Sequence, residues 1–270
     1  MKENVIKSRI LTACIALPLL IAFILWAPPW GFFCLTYAVA GWALYEYYAM
    51  ALAAGRSMEK YLGIVAGIGL MVPLVLGHYA VFVGCLIASV FLFACVFLFR
   101  HGAIDKVSGQ LALLLFGFIY ISIPLAHLAL LRSQPHGIQW VLLVLMMVML
   151  NDTCAYFTGT FFGRRKLYPS VSPKKSVEGA IGGLGGSVLA AGLAHLTFAP
   201  WAALVPLLLL GLVVGVIAEL GDLFESLLKR SFGVKDSGTL IPGHGGILDR
   251  LDSLMFAFPL TYYFILIFQV

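Results

Sequence analysis

Acidic side chains gather at two places in this 270-residue sequence, each beside a long apolar segment. Asp152 and Glu178 flank the first place. The second place carries a larger group, namely Glu219, Asp222, Glu225, Asp236, Asp249 and Asp252. Ionisable residues within or beside membrane-length apolar segments are energetically costly, and they therefore indicate functional sites.

Helical spacing brings the carboxylates of the second group to shared faces. Glu219, Asp222 and Ser226 are three and four residues apart, which places them on one side of a helix that continues the preceding apolar segment. Asp249 and Asp252 stand at i and i+3, just before the last apolar segment. Two carboxylate-bearing helix ends suit Mg²⁺, which typically takes one or two protein carboxylates together with substrate phosphates.

A basic connector rich in glycine lies between these helix ends. Gly243, Gly245 and Gly246 offer backbone N–H groups that can approach a phosphate closely. Positive charge comes from Lys229, Arg230, Lys235 and Arg250. Each feature alone has an ordinary explanation. The cations could anchor the chain at the membrane surface, Asp249 could cap a helix, His244 could be a loop histidine, and the glycines could form a turn. Their occurrence in one segment favours a site for a metal-bound polyphosphate.

The elements that must position these residues are membrane helices. The chain is 62% hydrophobic and only 11% charged, whereas a soluble domain is about half apolar and about a quarter charged. A spanning helix needs about 20 mostly apolar residues. On that scale we predict nine spans, at residues 10–27, 31–53, 61–77, 79–99, 109–131, 138–157, 176–198, 201–221 and 252–269.

The basic residues indicate the orientation of these spans. With a cytoplasmic N-terminus, all but Arg132 of the 17 Lys and Arg residues fall on the cytoplasmic side, as the positive-inside rule predicts. The longest cytoplasmic loops are then 158–175 and 222–251. We predict an all-α, polytopic integral membrane helix bundle, with a scaffold of N-terminal helices in residues 1–150 and a catalytic region in 151–270.

The net charge of +5 does not indicate nucleic acid, since the cations lie in short loops without a nucleic-acid-binding motif.

The segment from Ser226 to Asp252 reads SLLKRSFGVKDSGTLIPGHGGILDRLD. It resembles the signature of the phosphatidate cytidylyltransferases, also called CDP-diacylglycerol synthases. Every fixed position of that signature is filled at matching spacing: Ser226, Lys229, Arg230, Lys235, Asp236, Gly238, Pro242, His244, Gly245, Gly246, Asp249, Arg250 and Asp252. The segments 151–167 and 172–179 are similar to the region that precedes the signature in bacterial members.

The resemblance implies a reaction, a setting and a set of partners. CTP and phosphatidic acid would give CDP-diacylglycerol and pyrophosphate, with Mg²⁺ and with or without a second cation. The family is an all-helical membrane bundle that is commonly described as a dimer. We therefore expect a homodimer in the bacterial cytoplasmic (inner) membrane, with its active site facing the cytoplasm. By motif position, Asp222 and Asp249 would bind the metal.

The same interpretation assigns the remaining roles. The expected catalytic residues are Asp222, Lys229, Arg230, Lys235, Asp236, His244, Asp249 and Arg250. The expected substrate-binding residues are Asp152, Lys174, Lys175, Ser176, Glu178, Ser226, Gly245, Gly246 and Asp252. The glycine-rich stretch 179–187 contains small-xxx-small pairs, so it predicts close helix packing rather than a phosphate loop.

Two alternatives stay open on the sequence. A CTP-dependent lipid-alcohol kinase shares the substrates and the charge pattern, and labelled CTP would distinguish it. A transporter needs polar residues along a path through the membrane. The spans before Asn151 offer little beyond Glu46, His127 and scattered Ser and Thr, which argues against transport.

Overall fold

The computed structural model describes residues 15, 17–100, 102–240 and 245–268. These residues form nine α-helices, one 3₁₀ turn and one short pair of strands, which confirms the all-α prediction for them. In chain order they are α1 (Leu17–Trp26), α2 (Pro29–Ala51), α3 (Ser57–Val75), α4 (Tyr79–Phe99), the 3₁₀ turn (Ile104–Lys106), α5 (Val107–Arg132), α6 (Gly137–Phe162), β1 (Lys166–Tyr168), β2 (Ser172–Ser176), α7 (Val177–Thr197), α8 (Leu204–Ser231) and α9 (Leu248–Phe268).

Seven of the described helices, α3 to α9, are long and apolar enough to cross a membrane. The chain is thus an integral membrane protein. The predicted span 10–27 begins outside the described residues, and α1 covers only its later part. Helix α2 is long enough to span, but Glu46 and several tyrosines lower its mean hydropathy. The count of nine spans and the side of the N-terminus stay predictions.

The first long loop is shorter than its predicted range of 158–175. Helix α6 continues to Phe162 and ends at the C-cap residue Gly163. The chain then forms an antiparallel hairpin, in which Lys166 of β1 pairs with Ser176 of β2. Residues 158–162 are therefore helical rather than part of the predicted loop, and the remainder of that loop contains the hairpin.

The second long connection, predicted at 222–251, is helical at both ends. Helix α8 runs on to Ser231 and α9 begins at Leu248, as the spacing of the acidic residues predicted. The non-helical part is therefore confined to residues 232–247, of which 241–244 lie outside the described residues.

The chain packs as two compact units. The N-terminal unit contains Pro28–Leu130 together with Asp236–Asp249. The C-terminal unit contains Ile15–Ala27, Leu131–Lys235 and the chain from Arg250 onward. The predicted boundary after residue 150 separates functional regions rather than packed units, and it stays a prediction.

Two adjacent tyrosines anchor the packing of the N-terminal unit. Tyr47 and Tyr48 on α2 are fully buried. Their hydroxyls donate to the backbone oxygens of Leu113 and Leu114 on α5, at 3.2 Å and 2.9 Å, because a buried tyrosine needs a partner for its polar tip. Gly117 on α5 has no side chain to collide with either ring. Large aromatic area and satisfied hydroxyls thus join α2 to α5.

Small residues let α6, α7 and α8 approach closely in the C-terminal unit. A Cβ at Gly183 of α7 would lie 2.8 Å from Oδ1 of Asn151, and one at Gly211 of α8 would lie 2.8 Å from the backbone oxygen of Ser187. The buried amide of Asn151 donates to Oγ of Ser187 at 3.0 Å and to the backbone oxygen of Gly215 at 3.3 Å. One side chain therefore joins three helices, and the predicted packing role of the α7 glycines is confirmed.

This packing can be tested with two neighbouring glycines of α7. A Cβ at Gly186 would lie 2.5 Å from the backbone oxygen of Leu150, whereas one at Gly185 meets nothing within 4 Å. We expect Gly186→Ala to lower the free energy of unfolding by about 1–3 kcal/mol through overpacking. Gly185→Ala should maintain or raise it, since alanine favours a helix by about 1 kcal/mol over glycine. Thermal unfolding in detergent compares them, and equal stabilities would contradict the close α6–α7 contact.

Candidate active site

A cavity of about 470 Å³ opens in the C-terminal unit where α6, the β-hairpin, the start of α7 and α8 meet. Its volume is in the range of small-molecule sites, about 300–1,000 Å³. Its polar lining consists of Asp152, Tyr156, Thr160, Lys166, Lys174, Lys175, Ser176, Glu219 and Asp222. Three carboxylates and three ammonium groups thus face one space, which suits a ligand that carries both metal and phosphate.

Helical periodicity explains how two helices supply this lining. Asp152, Tyr156 and Thr160 follow one another at four-residue intervals on α6, so they share one face. Glu219 and Asp222 are three residues apart on α8 and share a face in the same way. Both helices continue past their most apolar parts, so their polar residues stand near the helix ends.

The hairpin connects directly to the start of α7. Ser176 ends β2 and caps the helix, because its Oγ accepts a hydrogen bond from the backbone N–H of Gly179 at 3.1 Å. A Cβ at Gly179 would lie 3.2 Å from Cα of Gly159 on α6. The first turn of α7 is therefore close to α6 at the cavity wall, and the positive end of its dipole adds to the attraction for anions.

Lys175 joins the two carboxylates of α8. Its Nζ lies 2.6 Å from Oε2 of Glu219 and 2.8 Å from Oδ2 of Asp222. Burial disfavours the ammonium form, but Asp222 and Glu219 outweigh burial and raise the pKa of Lys175 above its usual value. Glu219 is buried, and Lys175 supplies a cationic partner for its carboxylate. Two negative charges share one cation, and the charge of Asp152 also interacts with this group.

The cavity contains carboxylate oxygens of the kind that Mg²⁺ binds. Asp152, Glu219 and Asp222 supply carboxylate oxygens, and Mg²⁺ usually completes its shell with water and substrate phosphates. Oδ1 of Asp222 also accepts from Ser226 at 3.3 Å, and its Oδ2 faces Lys175. The described residues contain no ready-made cage of three His, Cys, Asp or Glu side chains. A cation here would thus compete with the Lys175 ammonium and draw its remaining ligands from the substrate.

Two predicted cations lie at the end of α8 and make local contacts. Lys229 pairs with the buried Glu225 at 3.1 Å. Arg230 donates from Nη1 to the backbone oxygen of Val234 at 3.4 Å. A cation near a helix C-terminus is favourable, so both residues stabilise the end of α8 in this structure, and their substrate contacts stay predictions.

The remaining predicted residues of the C-terminal unit are Lys235, which lies in the connector, and Arg250 and Asp252, which lie at the start of α9. Lys235 and Arg250 are exposed. Oδ1 of Asp252 accepts from the backbone N–H of Ser253 at 2.7 Å. The charge of Asp252 interacts with that of Asp222. The Asp252 carboxyl group is therefore close enough to Asp222 for the two to interact.

Glu178 has a local structural contact. Its carboxylate accepts the backbone N–H groups of Arg164 and Arg165, at 3.0 Å and 3.2 Å. It is not among the described residues that line the cavity. Glu178 thus links the residues that follow α6 to the first turn of α7 by hydrogen bonds. Its substrate contact remains a prediction.

In the N-terminal unit, Asp249 organises the connector that precedes α9. Its Oδ2 accepts the backbone N–H of Ser237 at 2.9 Å and that of Gly246 at 2.8 Å. Gly245 has φ 84°, a left-handed conformation that favours glycine. Gly245 therefore has a conformational reason to be glycine, in addition to the phosphate contact predicted for Gly245 and Gly246.

The other predicted residues here stay untested. Asp236 is exposed in the N-terminal unit, and His244 lies outside the described residues. Asp222 belongs to the C-terminal unit and Asp249 to the N-terminal unit. The assignment of these two carboxylates to a metal stays a prediction.

Sequence reasoning missed three polar residues of the cavity, namely Tyr156, Thr160 and Lys166. The spacing already places Glu219 on the helical face of Asp222, although the sequence assigned it no site role. Lys166 enters the cavity through the hairpin register, which pairs it with Ser176. No local pattern in the basic run before it predicts that pairing.

Comparisons with known proteins agree with the signature. Residues 7–268 match the model of the cytidylyltransferase family. The chain is 32% identical over 269 residues to a phosphatidate cytidylyltransferase of Bacillus subtilis (strain 168), which covers 97% of this chain and 98% of the relative. Proteins of the same name from Staphylococcus saprophyticus and Synechocystis are 44% identical over 150 residues (55% of this chain, 56% of the relative) and 46% identical over 138 residues (50% and 46%).

The counter-ion role of Lys175 yields a stability test. Lys175→Met leaves Glu219 and Asp222 without their shared cation, and we expect a loss of about 1–3 kcal/mol in a partly exposed site. Lys175→Met/Glu219→Gln should recover much of that loss, because one of the two charges is gone. The exposed Lys106→Met serves as control and should leave the melting temperature unchanged. Equal stability of the single and double variants would contradict the electrostatic explanation.

Proposed function

The chain belongs to the cytidylyltransferase family, and we propose that it transfers the cytidylyl group of CTP to phosphatidic acid. The products are CDP-diacylglycerol, a precursor in phospholipid biosynthesis, and pyrophosphate. The Bacillus subtilis relative with this name in its description matches over nearly its whole length. An integral membrane protein also suits an acceptor that resides in the bilayer.

The observation that carries the proposal is the meeting of carboxylates and lysines in one cavity of the C-terminal unit. Carboxylates alone would suit a cation path, and lysines alone would suit a lipid headgroup. Both together suit a polyphosphate that arrives with a divalent cation. Family membership then specifies cytidylyl transfer rather than phosphoryl transfer.

The reaction needs charge control more than proton transfer. A phosphate oxygen of phosphatidic acid attacks the α-phosphorus of CTP, the bond from that phosphorus to the β-phosphate oxygen breaks, and pyrophosphate leaves. A phosphomonoester has a second pKa of about 6, so the nucleophile is already mostly ionised at neutral pH. Bringing two anions together and stabilising the leaving group should supply most of the rate.

Lysines of the hairpin are suited to that task. Lys166, Lys174 and Lys175 line the cavity, and nearby carboxylates hold Lys175 in its charged form. A bound phosphate would compete with Glu219 and Asp222 for the Lys175 ammonium. The lysine therefore needs little rearrangement to turn from its carboxylate partners to substrate oxygens.

We assign Mg²⁺, with or without a second cation, to Asp222 and Asp249. Asp222 is chosen because it lines the cavity, and Asp249 because of its position in the family signature. When bound, the cation supplies Lewis-acid stabilisation of phosphate charge. Asp152 adds a third carboxylate to the negative environment of Asp222. Polar and glycine residues of the signature complete the proposed substrate contacts: Ser226, Lys229, Arg230, Lys235, Asp236, His244, Gly245, Gly246, Arg250 and Asp252.

The proposal includes a membrane setting. Nine spans with a cytoplasmic N-terminus would place the basic residues, except Arg132, on the cytoplasmic side. CTP is available on that side, so the active site would face the cytoplasm from the bacterial inner membrane. The family resemblance supports a homodimer. Cysteine labelling from either side of the membrane and mass measurement in detergent address these points.

Labelled CTP separates the proposed reaction from a lipid kinase. With purified protein, phosphatidic acid and Mg²⁺, we expect label from the α-phosphate to enter the lipid fraction. Label from the γ-phosphate should appear as water-soluble pyrophosphate. The measurement is scintillation counting after organic extraction. Incorporation of the γ-label into lipid would instead identify a CTP-dependent kinase.

Isosteric variants test the metal assignment. Asp222→Asn and Asp249→Asn each remove one negative charge while keeping the size of the side chain. We expect turnover to fall by about 100-fold or more, as is typical when a group that stabilises transition-state charge is lost. The Mg²⁺ concentration for half-maximal rate should also rise.

The matched control is Asp105→Asn, at an exposed carboxylate of the 3₁₀ turn. It should turn over at close to the wild-type rate. All three variants should reach the membrane in equal amounts, which immunoblotting of membrane fractions can measure. Near-normal turnover in Asp222→Asn or Asp249→Asn would remove that residue from the metal site.

A further inference from the structure

A buried glutamate of α2 contacts the signature connector, although the two lie 191 to 202 residues apart in sequence. Glu46 is only 4% exposed. Four donors reach its carboxylate: Nε1 of Trp42 at 3.0 Å, Oγ of Ser237 at 3.1 Å, and the backbone N–H groups of Ile247 at 3.1 Å and Leu248 at 2.9 Å. All of these residues belong to the N-terminal unit.

The chemistry of these donors requires an acceptor. The indole N–H and the two backbone N–H groups can only donate hydrogen bonds. Ile247 and Leu248 stand at the start of α9, where backbone N–H groups lack partners within the helix. Negative charge is also favourable at that end of a helix. Glu46 thus caps α9 from a different helix, which orients both the carboxylate and the beginning of α9.

Two glycines of the signature leave space for this carboxylate. A Cβ at Gly238 would lie 2.5 Å from Oε1 of Glu46, and a Cβ at Gly246 would collide with Oε2 of Glu46 and with Oγ of Ser237. The described residues on both sides of 241–244 therefore pack closely against Glu46. Any larger residue at either position would have to push the connector or the glutamate away.

Ser237 links Glu46 to Asp249. Its Oγ donates to Oε2 of Glu46, and its backbone N–H donates to Oδ2 of Asp249 at 2.9 Å. The same Oγ accepts the backbone N–H of Asp249 at 3.3 Å. Gly246, whose lack of a side chain accommodates Glu46, also donates to Oδ2 of Asp249. Two short routes thus connect Glu46 to the Asp249 carboxylate.

We infer that Glu46 is a positioning residue of the active site. By holding Ser237, Ile247 and Leu248, it holds the orientation of the Asp249 carboxylate. The inference rests on the proposed function for the role of Asp249 in the reaction. In this inference the N-terminal helices also contribute to the active site, because α2 supplies the hydrogen-bond acceptor for Ser237, Ile247 and Leu248.

Glu46→Gln tests the inference, with Glu59→Gln as the matched control. Glu59 is a second buried glutamate of the same unit, paired with Arg56 at 2.7 Å and with Arg100 at 3.9 Å. Both substitutions remove a buried charge, but only Glu46 contacts the connector. A glutamine keeps only one acceptor oxygen, so the backbone N–H of either Ile247 or Leu248 would face an N–H donor.

We expect hydrogen–deuterium exchange of residues 236–249 to speed up by about tenfold or more in Glu46→Gln, the effect of one unmade buried hydrogen bond. The Mg²⁺ concentration for half-maximal rate should rise, and kcat should fall more than KM for CTP changes. Glu59→Gln should leave exchange in that segment and the Mg²⁺ requirement as in wild type, even if it lowers the melting temperature. Unchanged exchange in Glu46→Gln overturns the inference.

A double-mutant cycle tests the route through Ser237. If Glu46 acts through this residue, Ser237→Ala should lower kcat, and the combination with Glu46→Gln should lose little more than Glu46→Gln alone. Fully multiplicative losses in kcat would contradict the route. If Glu46→Gln does not accumulate as folded protein, Ser237→Ala alone should still raise the Mg²⁺ requirement, and an unchanged requirement overturns the inference.

The exchange measurement separates this inference from the proposed reaction. If the wild-type protein forms no CDP-lipid, the proposed function fails. Exchange in residues 236–249 of the Glu46→Gln and Glu59→Gln proteins still decides whether Glu46 holds the connector.

Discussion

A carboxylate that is removed from water must find its donors inside the protein, and this requirement shapes both units of the chain. In the C-terminal unit, Lys175 lies between Glu219 and Asp222. In the N-terminal unit, Glu46 collects four donors and Asp249 collects the N–H groups of its own connector. Each carboxylate is therefore held in one orientation, and preorganisation of this kind makes electrostatic catalysis efficient.

The same requirement explains why the cavity suits an anionic substrate. The carboxylates hold Lys175 in its charged form, while its position at the cavity wall leaves it close to an incoming phosphate. If the Lys175 ammonium turned to phosphate, Glu219 and Asp222 would be left to hold a divalent cation that accompanies CTP. The Lys175 ammonium would exchange one anionic partner for another without a change in its own charge, so the active site would need little reorganisation. This exchange belongs to the proposed function.

The signature is divided between the two units, with Ser226–Lys235 in the C-terminal unit and Asp236–Asp249 in the N-terminal unit. Its glycines illustrate how a motif can combine several reasons. Gly245 adopts a left-handed backbone conformation, and Gly238 and Gly246 make room for Glu46. The glycines of the signature thus reflect constraints of folding.

Sequence alone determined the helical membrane fold, the extension of α8, the paired faces of acidic residues and the family, because each depends on local periodicity or on an unbroken motif. It also indicated the α6–α7 packing through small-residue spacing. Tertiary structure decided which residues meet: Lys166 through the hairpin register, Lys175 between two carboxylates, and Glu46 against the connector. These contacts join residues far apart in the chain, and only the folded backbone brings them within hydrogen-bond distance.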